Sequence, residues 1–475
     1  MKRRGGRNQG NLSRGVKPRS LAPRPARPQP RPDTEQKLDS VGAPAQLVQI
    51  EKPIYGGAFL ARVDGKVVFV PLALPGEQAR VRRVEEKRGY ATAEVEEIVA
   101  AVPQRVAPAC RHFGACGGCS YQHAEYAAQI EFKRAILRET LERGGVRAPD
   151  EIDVLAAEPW AYRNRIRLAF DASGNPGYRG RRSHAVAPIA ECPIAAPLLV
   201  RAALAAGEIA REPGWRMRLN EISLFCNADE TELLASVVAA SAPKDAFDDF
   251  AHTLAERIPE LKGAEFAGVG RDGQPPRKVA EWGAASLLYR AAGCDYRVDH
   301  GAFFQVNRWL ADGLVQRVTD GQRGAVAWDL YAGVGLFARK LAESFAKVVA
   351  VESAPAATRA LGENLRGTHA TAVRATALDF LRTARGGKRP DLSRRDANVP
   401  DVIVVDPPRT GLGAETTALL AEIGAPAMTY VSCDPATLAR DLKALAGAGY
   451  AIESVTLADL FPQTFHLETV VRLRR

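Results

Sequence analysis

AVAWDLYAGVGLFARKLAESFAKVVAVES, residues 325–353, decides the fold. The apolar run AVAWDL reads as a buried strand, YAGVG as a glycine-bearing turn and LFARKLAESF as a short helix. KVVAVES then reads as a second buried strand that ends on Glu352. A strand, a helix and a second strand in this order form a unit in which the strands are parallel and the helix covers them. The alternation continues toward the C-terminus through PAATRALGENL, DVIVVDPPR, TTALLAEIG, AMTYVSC and DPATLARDLKALAGAG. From about residue 301 onward the sequence therefore predicts a doubly wound parallel sheet of the Rossmann type. Such sheets hold their ligands at the carboxyl ends of the strands.

The chemically informative residues fall on that edge. Asp329, Gly333 and Gly335 lie between the first strand and its helix, where glycines let the backbone approach a ligand closely. Glu352 ends the next strand 17 residues after Gly335, at a place suited to bind the hydroxyls of an adenosine ribose. The third glycine of a dinucleotide fingerprint is missing, and Arg339 stands near its place. With no pyrophosphate cradle, S-adenosylmethionine fits better than NAD.

DVIVVDPPRTGL carries Asp406-Pro407-Pro408-Arg409 at the end of a third strand. Amino-methylating enzymes place an aromatic fourth in the related motif, so Arg409 disfavours methylation of an adenine or guanine nitrogen. VSCDPATLARDL, residues 431–442, then puts Cys433 at a strand end just before a helix. A helix N-terminus lowers a thiol's pKa, so Cys433 is expected to be a nucleophile, whereas Cys226 and Cys294 read as packing residues. Thiolate addition to C6 of uracil would make C5 reactive enough to accept a methyl group, and a base must then take the C5 proton. HLETVVRLRR offers His466 and Glu468, and Glu468 is the expected base.

Upstream, residues 44–103 alternate apolar and polar residues between Gly, Pro and Asp-Gly turns, which suggests a small OB-like barrel. Residues 104–300 read as a mixed α+β unit. Its YRNRIRLAFDASGNPGYRG hairpin gathers Arg163, Arg165, Arg167, Arg179, Arg181 and Arg182, either a solvated face or an RNA contact surface. CRHFGACGGCSYQH supplies Cys110, Cys116 and Cys119, and Cys192 follows with 72 residues between it and the last of them. Four thiolates suit zinc or a 4Fe–4S cluster. A tight triple with a distant fourth ligand before proline favours the cluster, as a structural clasp.

Residues 1–32 hold ten Lys and Arg and no acid, so the remaining chain balances 55 basic against 55 acidic residues. This Pro/Arg-rich tail, residues 1–43, is expected to be disordered and to add salt-sensitive affinity for nucleic acid or solubility. No apolar run is long enough to span a membrane, and the N-terminus lacks a signal peptide's apolar stretch, so a cytoplasmic protein is expected. Seven cysteines without a secretion signal argue against a disulfide framework. Nothing in the sequence calls for an oligomer, so a monomer is expected.

From about residue 44 to the end, DHGAFFQVN, DLYAGVGLF, VAVES, DPPRTGL, VSCDPATLARDL and HLETVV resemble, in order, the RNA uracil-C5 methyltransferases. The cysteine cluster and the barrel resemble the subgroup acting on 23S ribosomal RNA rather than the shorter transfer-RNA enzymes. The resemblance implies a TRAM-type RNA-binding barrel, a 4Fe–4S cluster, Cys433 as nucleophile and Glu468 as base. It also implies that Gln305, Tyr331, Glu352 and Asp406 contact S-adenosylmethionine. Leu336 departs from the family, which often has Asn there, and AVRATALDF matches poorly, leaving Asp379 as a candidate on the adenine side. Phe303 and Phe304 are candidates to stack on a flipped base. The alternatives are a transfer-RNA uracil methyltransferase and a non-catalytic iron–sulfur factor in ribosome assembly.

Overall fold

The computed structural model describes residues 44–213, 215, 217–239, 244–270, 276–385 and 399–475. The expected disorder of the basic tail lies outside the described residues. An eight-stranded sheet runs in the order Ala370–Arg374, Phe345–Glu352, Gly324–Leu330, Val402–Val405, Ala427–Ser432, Glu468–Arg474, Ala451–Ala458 and Asp153–Leu155. The first five strands are parallel, and Glu468–Arg474 runs antiparallel between Ala427–Ser432 and Ala451–Ala458. Alternate residues of the central strands feed two cores. Trp328, Val349, Ile403 and Tyr430 face one side, and Ala327, Val348, Val404 and Val431 the other. Burial on both faces is why these strands read as unbroken apolar runs.

The middle of the chain does not form one body. Asp153–Leu155 pairs with Ala451–Ala458 as the outermost strand of the large sheet, and the helix Tyr126–Arg143 packs on the helix Pro435–Gly447. The ribbon Ser286–Ala291 and Cys294–Asp299 likewise buries Leu287, Tyr289, Tyr296 and Val298 in the sheet's core. What remains between is a seven-stranded sheet with its own core, covered by the helices Pro197–Ala210 and Lys244–Arg257. A three-residue strand carries too little periodicity to be assigned to a distant sheet from sequence.

The five strands Gln46–Pro53, Ala58–Val63, Lys66–Pro71, Tyr90–Ala100 and Gln78–Glu86 close in that order into a barrel of the OB type. Among the described residues, no helix is long and apolar enough to cross a membrane.

Helix Tyr126–Arg143 is pinned to the segment ahead of the last strand by a buried polar network. Lys133 Nζ donates to Asp459 Oδ1 at 2.5 Å and to the Phe461 carbonyl at 2.9 Å, and Tyr126 donates to Asp459 Oδ2 at 2.9 Å. Both members of the ion pair are fully buried. Asp459→Ala leaves an uncompensated ammonium inside the protein and is expected to cost about 3–5 kcal/mol in urea unfolding. Asp459→Ala combined with Lys133→Met should recover part of that loss.

Candidate active site

The sheet register assembles the site. Val431 faces Val470 and Ser432 faces Thr469 across the antiparallel pair, so one further step brings Cys433 opposite Glu468. Asp406 leaves the adjacent strand Val402–Val405, which pairs with Ala427–Ser432, at the same edge. Three neighbouring strands thus deliver a thiol and two carboxyls to one place.

The electrostatics of the trio differ from the expectation for the thiol. Burial pushes Cys433 up to about 11, and the charges of Glu468 and Asp406 push in the same direction. The helix that follows does not offset this, because Asp434 caps it: Asp434 Oδ1 accepts the Ala436 and Thr437 N–H groups at 3.1 and 2.9 Å. The donors that were expected to favour a thiolate are already engaged. Burial also drives Glu468 well above the ordinary carboxylate range, with Asp406 adding to the effect, and burial lifts Asp406 to about 7. The charge that opposes these shifts on both Cys433 and Glu468 is the Arg409 guanidinium.

His466, the other basic residue near the strand end, is held neutral. Burial and the cations Arg409, Arg163 and Lys133 push it down to about 4. Arg409 Nη2 donates to its Nδ1 at 3.3 Å, which leaves the ring proton on Nε2. Its ring lies between those of Phe461 and Phe465, at 5.5 and 4.3 Å.

The cofactor-side residues surround the neighbouring strand ends. Tyr331 adopts a left-handed backbone at φ 66°, and Gly333 follows at φ 55° with open space where a Cβ would stand. The Glu352 carboxylate accepts the N–H groups of Gly333, Ser353 and Ala354 at 3.0, 2.6 and 2.7 Å, which fixes the turn against the second strand. Gln305 is buried, and its carbonyl accepts Asn164 Nδ2 at 2.8 Å. Asp329 is fully buried with neither carboxyl oxygen in a hydrogen bond of ordinary geometry, and the Ala338 N–H is the group that opposes the rise of its pKa. Burial, with Asp406 and Glu352 adding to it, raises its pKa well above normal. The edge is therefore rich in buried carboxyls and short of positive charge, and the cationic sulfonium of S-adenosylmethionine suits it.

Leu336 is buried and its carbonyl accepts the Tyr296 hydroxyl at 3.2 Å. Asp379 is exposed and occupied with Thr376 and Arg382 at the start of the helix Ala377–Arg385. Of the two candidate stacking residues, Phe304 is core, with its ring 4.4 Å from Tyr289, while Phe303 is 59% exposed. The arginine hairpin is not a uniform basic face: Arg163 and Arg165 turn inward, the latter 4.2 Å over the Phe225 ring, and Arg167 pairs with Glu221.

Cys110, Cys116, Cys119 and Cys192 line one cavity together with Tyr178 and Arg163. Among the described residues no set of three or more His, Cys, Asp or Glu side chains is arranged to hold a metal ion. The thiols nonetheless sense one another, since Cys192 helps to raise the pKa of Cys110, Cys116 and Cys119. The Arg163 Nε is buried without a partner, and its charge opposes those shifts on Cys116, Cys119 and Cys192.

The sequence of residues 282–475 matches the tRNA (Uracil-5-)-methyltransferase family, and residues 45–95 match the TRAM domain. The chain is 34% identical to the 23S rRNA (uracil(1939)-C(5))-methyltransferase RlmD of Chromohalobacter salexigens, over 91% of this chain and 90% of that protein. The chain belongs to the RNA uracil-C5 methyltransferase family. A protein of Streptomyces avermitilis described as an uncharacterized RNA methyltransferase is 36% identical, over 90% of this chain and 97% of its own length. In solved structures, the tRNA (uracil-54, C5)-methyltransferase of Pyrococcus abyssi, in complex with S-adenosyl-L-homocysteine, matches with a TM-score of 0.71 and 25% identity. That match covers 90% of this chain and 99% of that one. The chain joins a methyltransferase fold and a TRAM barrel.

One residue packed beside this edge was invisible in the sequence. Tyr55, in the turn between the first two barrel strands, packs its ring edge-on to Phe465 at 5.7 Å, and its hydroxyl lies against Asp434. A contact spanning this much chain leaves no periodic signal.

Proposed function

We propose that the protein methylates C5 of a uridine in 23S ribosomal RNA, with Cys433 as nucleophile and Glu468 as general base. The observation that carries the mechanism is the cross-strand placement of Cys433 opposite Glu468, beside Asp406. Cys433 gives its proton to solvent and the thiolate sulfur bonds to C6, moving the C5=C6 electron pair toward C5 and O4. Bound S-adenosylmethionine supplies an electrophilic methyl group. Glu468 then takes the C5 proton, the C5=C6 bond re-forms and the Cys433 thiolate is expelled. Gln305, Tyr331, Glu352 and Asp406 would hold the cofactor. Its positive charge favours ionised Glu468 and thiolate Cys433, both disfavoured in the empty edge.

The RNA class follows the relatives named as 23S rRNA methyltransferases, which share a third of their residues with this chain along most of its length. Incubation with labelled S-adenosylmethionine and either a 23S rRNA or a transfer-RNA transcript, followed by nuclease mapping, tests it. Label at a single 23S uridine is expected, and label confined to transfer RNA would overturn the reading. In this reading the protein acts as a cytoplasmic monomer.

Arg409 sets the pH range. Cys433 and Glu468 must both be deprotonated to act, so raised pKa values shift the acid limb of the rate upward, and Arg409 moderates that shift. Arg409→Met removes the moderating charge. Saturating turnover should fall about tenfold at pH 7, because each unit of pKa is tenfold on that limb, and the whole acid limb of the rate should lie about one pH unit higher than in the wild type. A pH profile with an unmoved acid limb would contradict this role.

Cys110, Cys116, Cys119 and Cys192 would hold a 4Fe–4S cluster. What supports this reading is their common cavity, with the buried Arg163 guanidinium beside it to offset thiolate charge. Anaerobically purified protein should be brown with about four irons per chain. Cys192→Ser should lose iron and colour, and colourless protein with stoichiometric zinc would contradict the assignment.

A further inference from the structure

His466 stands at the catalytic edge yet takes no part in the sulfur addition or the proton removal. Leu467, Val471 and Leu473 enter one core and Val470 the other. Strand alternation therefore puts Glu468, and His466 before it, on the Val470 side, which Val431 and Cys433 share across the antiparallel pair.

The ring is held from several directions. Phe461 and Phe465 flank it at 5.5 and 4.3 Å, and Arg409 Nη2 occupies its Nδ1. The segment leading to it is clamped at four successive carbonyls. Leu460 accepts Asn307 Nδ2 at 3.2 Å, Phe461 accepts Lys133 Nζ at 2.9 Å and Pro462 accepts the Tyr162 hydroxyl at 3.0 Å. Gln463, left-handed at φ 67°, accepts the N–H groups of Ser120 and Tyr121 at 2.9 and 3.0 Å.

One ring atom is left over. With Nδ1 accepting from a guanidinium, the proton sits on Nε2, which has no partner among the described residues and stays open to solvent. Burial and the cations Arg409, Arg163 and Lys133 keep the ring neutral. A cation on Nδ1 also polarises the imidazole and strengthens Nε2–H as a donor. The edge thus holds a rigid, neutral imidazole with a single free N–H.

Addition of sulfur to C6 creates a use for that donor. The pair displaced from C5=C6 spreads over C5 and the C4 carbonyl, so negative charge builds on O4. O4 projects from C4, next to the C5 from which Glu468 takes its proton. An ionised Glu468 can only accept hydrogen bonds and would repel this charge.

We infer that His466 is a further catalytic residue, donating its Nε2–H to the uracil O4 as the bond between Cys433 and C6 forms. No proton leaves the ring. The hydrogen bond strengthens as the enolate develops and relaxes when the C5=C6 bond returns and the thiolate departs. A fixed donor aimed at developing charge lowers the barrier because it is stronger in the transition state than with the bound substrate. The role rests on the uracil-methyltransferase reading and adds to it the group that stabilises the enolate.

The test replaces one atom of the substrate and one side chain of the protein in a cycle. Single-turnover methyl transfer by wild type and His466→Leu is measured on a 23S rRNA fragment whose mapped target is uridine or 4-thiouridine. Sulfur at position 4 accepts hydrogen bonds poorly, and its intrinsic effect on the ring is common to both proteins. With uridine, His466→Leu is expected to lower the rate about 10²-fold, with RNA affinity within about threefold of wild type. With 4-thiouridine the two proteins should differ by less than about fivefold. His466→Gln, which keeps an N–H donor, should recover most of the loss with uridine. A loss of the same size on both RNAs would assign His466 to packing and overturn the role, as would a wild-type rate in His466→Leu. Either result leaves the uracil reading standing, because the wild type still transfers its methyl group. A wild type that methylates a base other than uracil would overturn that reading and the role with it.

Discussion

Cys433→Ala is expected to abolish methyl transfer to uracil, lowering turnover on the order of 10⁴-fold or more. Without the sulfur nothing adds to C6, and C5 of an unactivated uracil is too weak a nucleophile to take the methyl group. The substitution removes a half-buried thiol at a strand end, so the sheet and the cofactor side should be unaffected. Binding of S-adenosylhomocysteine by calorimetry should stay within about threefold of wild type, which separates lost chemistry from lost folding. Activity within about tenfold of wild type would mean that another group performs the addition, and the placement of Cys433 opposite Glu468 would have no catalytic meaning.

Glu468→Gln should produce a different defect. The amide occupies the same buried position but cannot take the C5 proton, so addition and methylation proceed while elimination stalls. Turnover is expected to fall about 10²–10⁴-fold, and a protein–RNA adduct should accumulate with ordinary uridine RNA on a denaturing gel. The variant also removes a charge that helps to raise the Cys433 pKa, so the thiolate forms more readily and adduct formation should not slow. Loss of activity without adduct would assign Glu468 to an earlier step.

The fold and the site were legible in the sequence to different depths. The central strands are covered on both faces by Trp328, Ile403, Val404 and their neighbours, and that double burial makes an apolar run that a sequence displays openly. The glycine turn at Gly333 and the strand-ending Glu352 were likewise marked by residue type and spacing. Cys433 and Glu468 could be named, but their opposition depends on the register of an antiparallel pair separated by a helix and a strand, which residue spacing does not encode. The thiol's pKa went the other way from expectation for a related reason. Which carboxyls face Cys433, and that Asp434 rather than the thiol takes the helix donors, are properties of packing. Tyr55 and the strand Asp153–Leu155 were missed because each joins a body remote in the chain through a turn or a few residues.

The most direct measurement is covalent trapping with 5-fluorouridine. The protein would be incubated with S-adenosylmethionine and 23S rRNA containing 5-fluorouridine, and the adduct resolved by denaturing gel and peptide mass spectrometry. Fluorine at C5 cannot leave as a proton, so the reaction should halt after methyl transfer, with methylated RNA attached through the sulfur of Cys433. An adduct at another residue, or no adduct from a protein that methylates ordinary 23S rRNA, would contradict the mechanism.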